Sequence, residues 1–324
     1  MTMNNAIQGL GDVDLLVTEV NTDLKNRPIS PSTIASQVCW VRMGGNEKIG
    51  KKTIFTVPFF GNKAKVRSIF EEIPGTLPEV AKFECEVQEW APDAQIIPRY
   101  TSVTDIYGIV EGNSVDIIAQ SQVEVERQLA ELIGNGASTT VPFDGKNAYA
   151  TDHECNPNRP GLKTFSNYKT SFDLNYANVS TALDLLDAMP GPDGNLLSMP
   201  GRNVIIVSTG AQESAARLLM NGDMIPNSAG TATQSNPLKG RADVLKLTQL
   251  RDYGSAKYWC VARIAGDKHR PWFLNMPVVP QMYLSGVSVD EHSQVTRGIS
   301  KQGWKSVHGY SHGWPQLSVL CVES

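Results

Sequence analysis

The sequence predicts an α+β fold, and three observations carry that prediction. Apolar residues recur at helical spacing from Val115 to Leu132 and again from Tyr176 to Leu186. Apolar and polar residues alternate with period two in Thr53 to Val57 and in Phe83 to Val87, the pattern of half-buried strands. Between Tyr176 and Leu219 a helix, a buried strand and a second helix follow one another directly, the order of a mixed α/β module. The 324 residues, 41% hydrophobic and 19% charged, can bury a full core without staples and read as one elaborate domain or two modest ones.

Residues 1–43 read as an N-terminal arm. Polar and small apolar groups alternate up to Arg27-Pro28-Ile29-Ser30-Pro31-Ser32, where the prolines cannot sustain a helix. Such a segment either packs on a neighbouring molecule or frays as an ordinary terminus.

Residues 44–100 read as an extended loop of strands with several breaks, and their charge order is unusual. Six bases and no acid lie between Lys48 and Arg67, whereas seven acids against the single Lys82 lie between Glu71 and Asp93. Two readings are open. The arms pair with each other in a solvated hairpin, where each exposed ion pair contributes only ~0.2–1 kcal/mol. Alternatively the loop protrudes and latches onto adjacent copies, with complementary charge setting register and encounter rate. The candidate assembly contacts are Lys63, Lys65, Arg67, Glu71, Glu72, Glu84, Glu86 and Glu89.

Residues 101–175 contain the clearest helix, expected from about 114 to 133. Asn113 or Ser114 is the candidate N-cap, Asp116 complements the helix dipole, and Gly134-Asn135-Gly136 supplies the stop. Val115, Ile118, Val125, Leu129 and Leu132 form its apolar stripe, interrupted by Gln122, while Glu124, Glu126, Arg127, Gln128 and Glu131 are left to water or partners. At ~1.5 Å per residue the helix spans roughly 30 Å, either as a long spine or as a plain amphipathic core helix. A polar, turn-rich segment runs from Val141 to Tyr168.

Residues 176–250 read as a compact α/β unit. A helix from Tyr176 to about Ala188, capped by Asn175, turns Tyr176, Val179, Leu183 and Leu186 inward and ends at Pro190-Gly-Pro-Asp-Gly194. The strand Asn203 to Ser208 leads into a helix opened by the capping box Thr209-Gly-Ala-Gln212, with Ala215, Leu218 and Leu219 as its expected apolar face. Pro226 to Asn236 reads as an exposed loop. Residues 251–324 read as strands separated by Gly and Pro and rich in Trp and Tyr.

The formal net charge of -4 supplies no global basic field for gripping nucleic acid. The five cysteines contain no Cys-x-x-Cys pair and read as reduced packing residues. Neither a signal peptide nor an apolar run of eighteen residues is present, so the expected site of synthesis is a cytoplasm, with no membrane partner. Thr209-Gly210 at a helix start could face an anion, but only one glycine is present and the capping box accounts for Thr209 and Gln212. Asp152-His153-Glu154-Cys155 and His308-Gly-Tyr-Ser-His312 are the richest metal candidates. Neither has a cysteine pair beside it, and the glycine around His308 and His312 favours a turn. Adjacent loop residues seldom place a thiolate and an imidazole as an activated nucleophile needs, which counts against His153 with Cys155. No catalytic residue, cofactor or metal is expected.

The segment from Pro142 to Pro157, with Phe143-Asp-Gly, an aromatic at Tyr149, His153 and Asn156, followed by Ser166-Asn167, resembles the Mu-like phage major head subunits. Asn175 to Met189, Val204-Ile-Ile-Val207, Ala215-Ala-Arg-Leu-Leu219 and Asn236-Pro-Leu-Lys-Gly240 match the same family in order and spacing, so the resemblance covers about 100 residues, 141 to 240. More loosely, it puts Phe60 to Ile69 in the extended loop, Lys82 to Val87 on its returning strand and Val115 to Ile133 in the spine helix; Arg270-Pro-Trp-Phe273 looks family-like, and the chain after Ala242 has no residue-by-residue match.

The resemblance implies the tailed-phage and encapsulin-type major capsid fold, with an N-terminal arm, an extended loop, a peripheral domain bearing the spine helix, and an axial domain. It implies a structural subunit, not an enzyme, that associates with itself in pentamers and hexamers of an icosahedral head. The implied location is the virion, after synthesis and assembly in the host bacterial cytoplasm. Scaffold, portal and decoration proteins are further candidate partners, and packaged double-stranded DNA would be contacted weakly. An encapsulin-like cargo shell and an α/β nucleotide-binding enzyme are the alternatives.

Overall fold

The computed structural model describes residue 18 and residues 33–45, 48–58, 80–93, 95–98, 103–197, 199–226, 233–253, 257–266, 268–285 and 299–324. The expected arm up to residue 32, the segment Phe60 to Ile69, and Lys63, Lys65, Arg67, Glu71 and Glu72 lie outside the described residues, as do 227–232 of the expected loop.

In chain order the elements are α1 (Ile34–Val38), β1 (Cys39–Met43), β2 (Lys52–Pro58), β3 (Val80–Glu86), β4 (Gln88–Trp90), β5 (Gln95–Pro98) and α2 (Val103–Asn135). Then come β6 (His153–Glu154), β7 (Thr164–Phe165), β8 (Tyr168–Thr170), α3 (Tyr176–Asp187), β9 (Arg202–Val207), α4 (Gly210–Asn221), β10 (Met224–Pro226) and β11 (Thr233–Ser235). The last are β12 (Asp243–Lys246), α5 (Leu250–Tyr253), β13 (Tyr258–Ile264), β14 (Trp272–Ser285), β15 (Ile299–His312), a 3-10 turn (Pro315–Leu317) and β16 (Ser318–Val322).

One sheet runs β1-β14-β15-β4, with β5 also paired to β15. In it β1 is parallel to β14, and β15 is antiparallel to β14, β4 and β5. The second sheet runs β12-β9-β13-β16-β8, so strands from residues 251–324 complete the sheet begun by the α/β unit. Strand β9 explains its own composition: Val204 and Ile206 enter the core that holds α1 and α2, whereas Ile205 and Val207 enter the core that holds α3 and α4. A strand buried on both faces reads as an unbroken apolar run.

The spine helix α2 starts at Val103, well before the expected 114. Gly108, Gly112, Asn113 and Ser114 resemble a helix start, but inside a helix a glycine costs only ~1 kcal/mol and asparagine or serine less. None blocks propagation as proline does. The outward set also needs one correction, because Gln128 is buried, its amide donating to Glu124 Oε1 at 3.0 Å.

Helix α4 is rotated from the expected face. Gln212, Ala216 and Met220 are buried, while Leu218 is 63% exposed. The capping box decides this. Gln212 Oε1 accepts from the backbone N–H of Ser208 and Thr209 and from Ser208 Oγ, which holds Gln212 inward, and residues four and eight positions on share its face. Helix α3 follows its pattern, with Asn175 Oδ1 accepting from Asn178 N and with Val179, Leu183 and Leu186 buried. All five cysteines are buried, and none forms a disulfide among the described residues.

Candidate functional site

Strands β2 and β3 form an antiparallel hairpin with a sharply divided surface. Its inner face, with Phe55 opposite Phe83 and Val57 opposite Ala81, packs on the body of the molecule. Phe83 is the anchor. Its ring lies 5.0 Å from Phe273, 5.2 Å from Trp314 and 6.4 Å from Phe143. The outer face presents Lys52 opposite Glu86, Ile54 opposite Glu84 and Thr56 opposite Lys82. Lys52 Nζ and Glu84 Oε2 meet at 3.2 Å across the strands, so part of the two-signed charge is satisfied within the hairpin. Glu86 and Glu89 have no ion-pair partner among the described residues, and Glu89 sits on β4 opposite Val307.

The hairpin runs into a junction with β4, β15 and α2. Here Gly309 is obligatory, because a Cβ at that position would lie 2.0 Å from the Glu86 carbonyl oxygen. Trp90 Nε1 donates to the His308 carbonyl at 3.1 Å, and Tyr310 donates its hydroxyl proton to the Val125 carbonyl at 2.8 Å, so α2 is tied to the sheet. Arg127 lies over the Trp90 ring at 5.8 Å, binds both oxygens of Glu124 and donates to the Tyr253 hydroxyl. Burial would raise Glu124, but hydrogen bonds from Arg127 and Gln128 outweigh it and hold the carboxyl below its ordinary range. Between these elements opens a cleft of about 280 Å³, with Glu86, Trp90, Glu131 and His308 in its lining.

His308 and His312 lie on strand β15, not in a turn; the glycine between them permits a close strand approach. Burial pushes both imidazoles down to about 4. His308 Nδ1 lies 2.9 Å from Ser306 Oγ and its Nε2 has no hydrogen-bond partner among the described residues, while His312 packs edge-on to Tyr149 at 5.7 Å.

The segment rich in chemically suggestive side chains is a structural clasp. Asp144 Oδ2 lies 2.7 Å from His153 Nδ1, and the Ala148 carbonyl lies 3.2 Å from His153 Nε2, so both ring nitrogens are occupied. Asp144 also accepts from the backbone N–H of Lys146 and Glu154; burial alone would raise its carboxyl, but these bonds hold it low. Asn167 accepts from Ala150 N and donates to the carbonyls of Ala148 and Pro315. Asn156 joins its loop to the Pro192 carbonyl. Asn236 closes the C-terminal end of α4 by donating to the Leu219 and Gly222 carbonyls. The motif residues of 142–167 and 236–240 thus act on the backbone. Among the described residues no three His, Cys, Asp or Glu side chains gather as a metal site, and no helix is long and apolar enough to cross a membrane.

Of the expected contact residues, Glu84 and Glu86 stand on β3 and Glu89 on β4, in a different sheet, whereas Lys63, Lys65, Arg67, Glu71 and Glu72 lie outside the described residues. Trp90, Glu131 and His308 were not anticipated as neighbours of Glu86. A local signal for that junction is Gly309 inside a strand sequence, since a glycine within a strand marks close backbone approach.

No protein-family model matches the chain, and no curated protein sequence matches it. Among solved structures it is similar to the capsid of the cyanophage P-SCSP1u, over 90% of this chain and 88% of that chain, with a TM-score of 0.52 and 12% identity. It is also similar to the capsid of the empty GTA particle, over 90% and 89% of the two chains, with a TM-score of 0.53 and 10% identity. For the native GTA particle the values are 90% and 89%, 0.50 and 11%. The fold is therefore the α+β fold of tailed-phage major capsid proteins.

Proposed function

We propose that this chain is the major capsid subunit of a tailed bacteriophage, of the Mu-like head-subunit type. It works by association and not by catalysis. Copies join as pentamers and hexamers into an icosahedral head that encloses double-stranded DNA, with assembly in the host bacterial cytoplasm and the virion as final location. The observation that carries this reading is the fold likeness to phage and particle capsids across nine-tenths of the chain.

In this reading the hairpin β2–β3 belongs to the extended loop, α2 is the spine of the peripheral domain, and α3, β9, α4 and β12 form the axial core. The charge distribution supports it. In the axial part Arg202 pairs with Asp243, Lys239 with Asp223, Arg241 with Asp184 and Asp187, and Lys246 with Glu213, all within the chain. The outer hairpin instead leaves carboxylates available to neighbours. The proposed assembly contacts are Lys63, Lys65, Arg67, Glu71, Glu72, Glu84, Glu86 and Glu89. Many such modest contacts sum to a stable shell.

Electron microscopy of the expressed protein tests the reading. Uniform polyhedral particles, capsomers or tubes are expected, and a compact monomer under all assembly conditions would refute it. Tight binding of the isolated subunit to duplex DNA at physiological salt would refute the weak DNA contact that the net charge of -4 supports.

A further inference from the structure

The β2–β3 hairpin is a sheet of its own. Its ladder joins only those two strands, so no backbone ladder ties it to the larger sheet on which it lies. Among the described residues it is held by packing centred on Phe83 and by side-chain bonds such as Asn158 Nδ2 to the Val80 carbonyl, 3.3 Å.

The seat beneath the hairpin contains a polar flaw. Side chains alternate between the faces of β14, and those of Trp272, Leu274 and Met276 enter the core that holds α1 and α2. Phe273 and Asn275 therefore face the hairpin, and Phe273 shares a cluster with Phe83 and Val57. Across the ladder Asn275 is opposite Gly309, the residue over which the Glu86 carbonyl passes. Asn275 is 2% exposed, and neither its Nδ2 nor its Oδ1 has a hydrogen-bond partner among the described residues. Arg42, its neighbour on β1, lies over the Phe55 ring at 5.2 Å. The ladder also breaks at this place. Pro277 and Pro280 carry no N–H, and the pairing of β14 with β15 shifts register between Asn275 and Val278 and again between Val278 and Gln281.

Seated, the hairpin closes over an amide that lacks hydrogen bonds, and lifted it returns that amide to water. A buried polar group without a partner is destabilising, whereas a hydrated one is not, so Asn275 favours the lifted state selectively. The apolar residues of the seat act in the opposite direction, with Cys85, Val87 and Val307 buried in one cluster.

We propose that the β2–β3 hairpin comes off the sheet as a unit while the body stays folded, and that the buried amide of Asn275 sets how readily it does so. The inference goes beyond the shell reading and does not rest on it. Cys85 reports the release, because it is buried on the inner face of β3, whereas Cys39, Cys155, Cys260 and Cys321 are buried in the cores of the body.

The test labels the thiols of the dispersed full-length chain with N-ethylmaleimide at neutral pH without denaturant, and mass spectrometry of the digested chain times each cysteine. In the native chain Cys85 should react ahead of the other four cysteines. In Asn275→Leu, which fills a similar volume without polar atoms, Cys85 labelling should slow about tenfold or more. Circular dichroism verifies that the variant folds. Should leucine not be accommodated, Asn275→Val serves, with the same slowing expected. Labelling of Cys85 in step with the body cysteines of the native chain overturns release as a unit. Unchanged or faster labelling of Cys85 in a folded variant overturns the role of Asn275, because its amide then helps to seat the hairpin. Both readings are made on single subunits, so they stand or fall apart from particle formation.

Discussion

Lowering the pH from 7 to 5 should remove about 4 kcal/mol of folding stability from the dispersed subunit through His308 and His312. Both imidazoles are buried on β15, and burial depresses each from 6.5 to about 4. Below pH 6.5 the unfolded chain takes up protons that the folded chain refuses. The stability present above that pH is therefore lost as the pH falls, and the loss levels off near pH 4. At ~1.36 kcal/mol per pH unit the full loss is about 3 kcal/mol for each histidine, and the part realised by pH 5 is about 2 kcal/mol each. The paired carboxylates do not confuse this window. Glu124 and Asp144 are held low in the folded state, so they stay ionised in both states above pH 5, and their contribution is lost only at more acid pH. Urea unfolding at pH 7, 6 and 5, on the native chain and on His308→Gln with His312→Gln, measures the effect. The native midpoint should fall steeply and the variant's only slightly. Equal slopes for the two proteins would refute the assignment.

Three further outcomes follow from the packing. Phe83→Ala should cost about 3–5 kcal/mol in urea unfolding and make the hairpin more sensitive to protease, because the ring joins β3 to Phe273, Trp314 and Phe143. Gly309→Ala should abolish soluble expression or lower Tm sharply, whereas Gly210→Ala, with nothing nearer than Lys246 Nζ at 3.7 Å, should leave Tm unchanged or slightly higher. Asp144→Ala should cost about 3 kcal/mol or more, since it strips an acceptor from His153 and from two backbone N–H groups, and thermal melts would show it.

Helix ends marked by side-chain capping were legible in the sequence. Asn175 and the Thr209–Gln212 box act locally, within one turn, and both occur as their spacing demands. The start of α2 was not legible, because glycine, asparagine and serine shift a helix start by energies that length and packing override. The face of α4 was mistaken for a related reason. Counting apolar residues gives Leu218 the same weight as Met220, while the inward turn of Gln212 depends on a bond to Ser208 N at 3.0 Å.

The charge order of the hairpin stands in the sequence by itself, as do the absence of a phosphate-binding glycine motif and the double-sided apolar run of β9. These are properties of neighbours along the chain. Only the tertiary structure decided that Glu84 is held by Lys52, that His153 and Asp144 clasp a loop, and that Glu86, Glu131 and His308 share one cleft. The last three residues lie on β3, α2 and β15. Their meeting depends on Gly309 letting the end of β3 cross β15 at backbone contact, and contacts between residues so far apart in sequence carry no local pattern from which to read them.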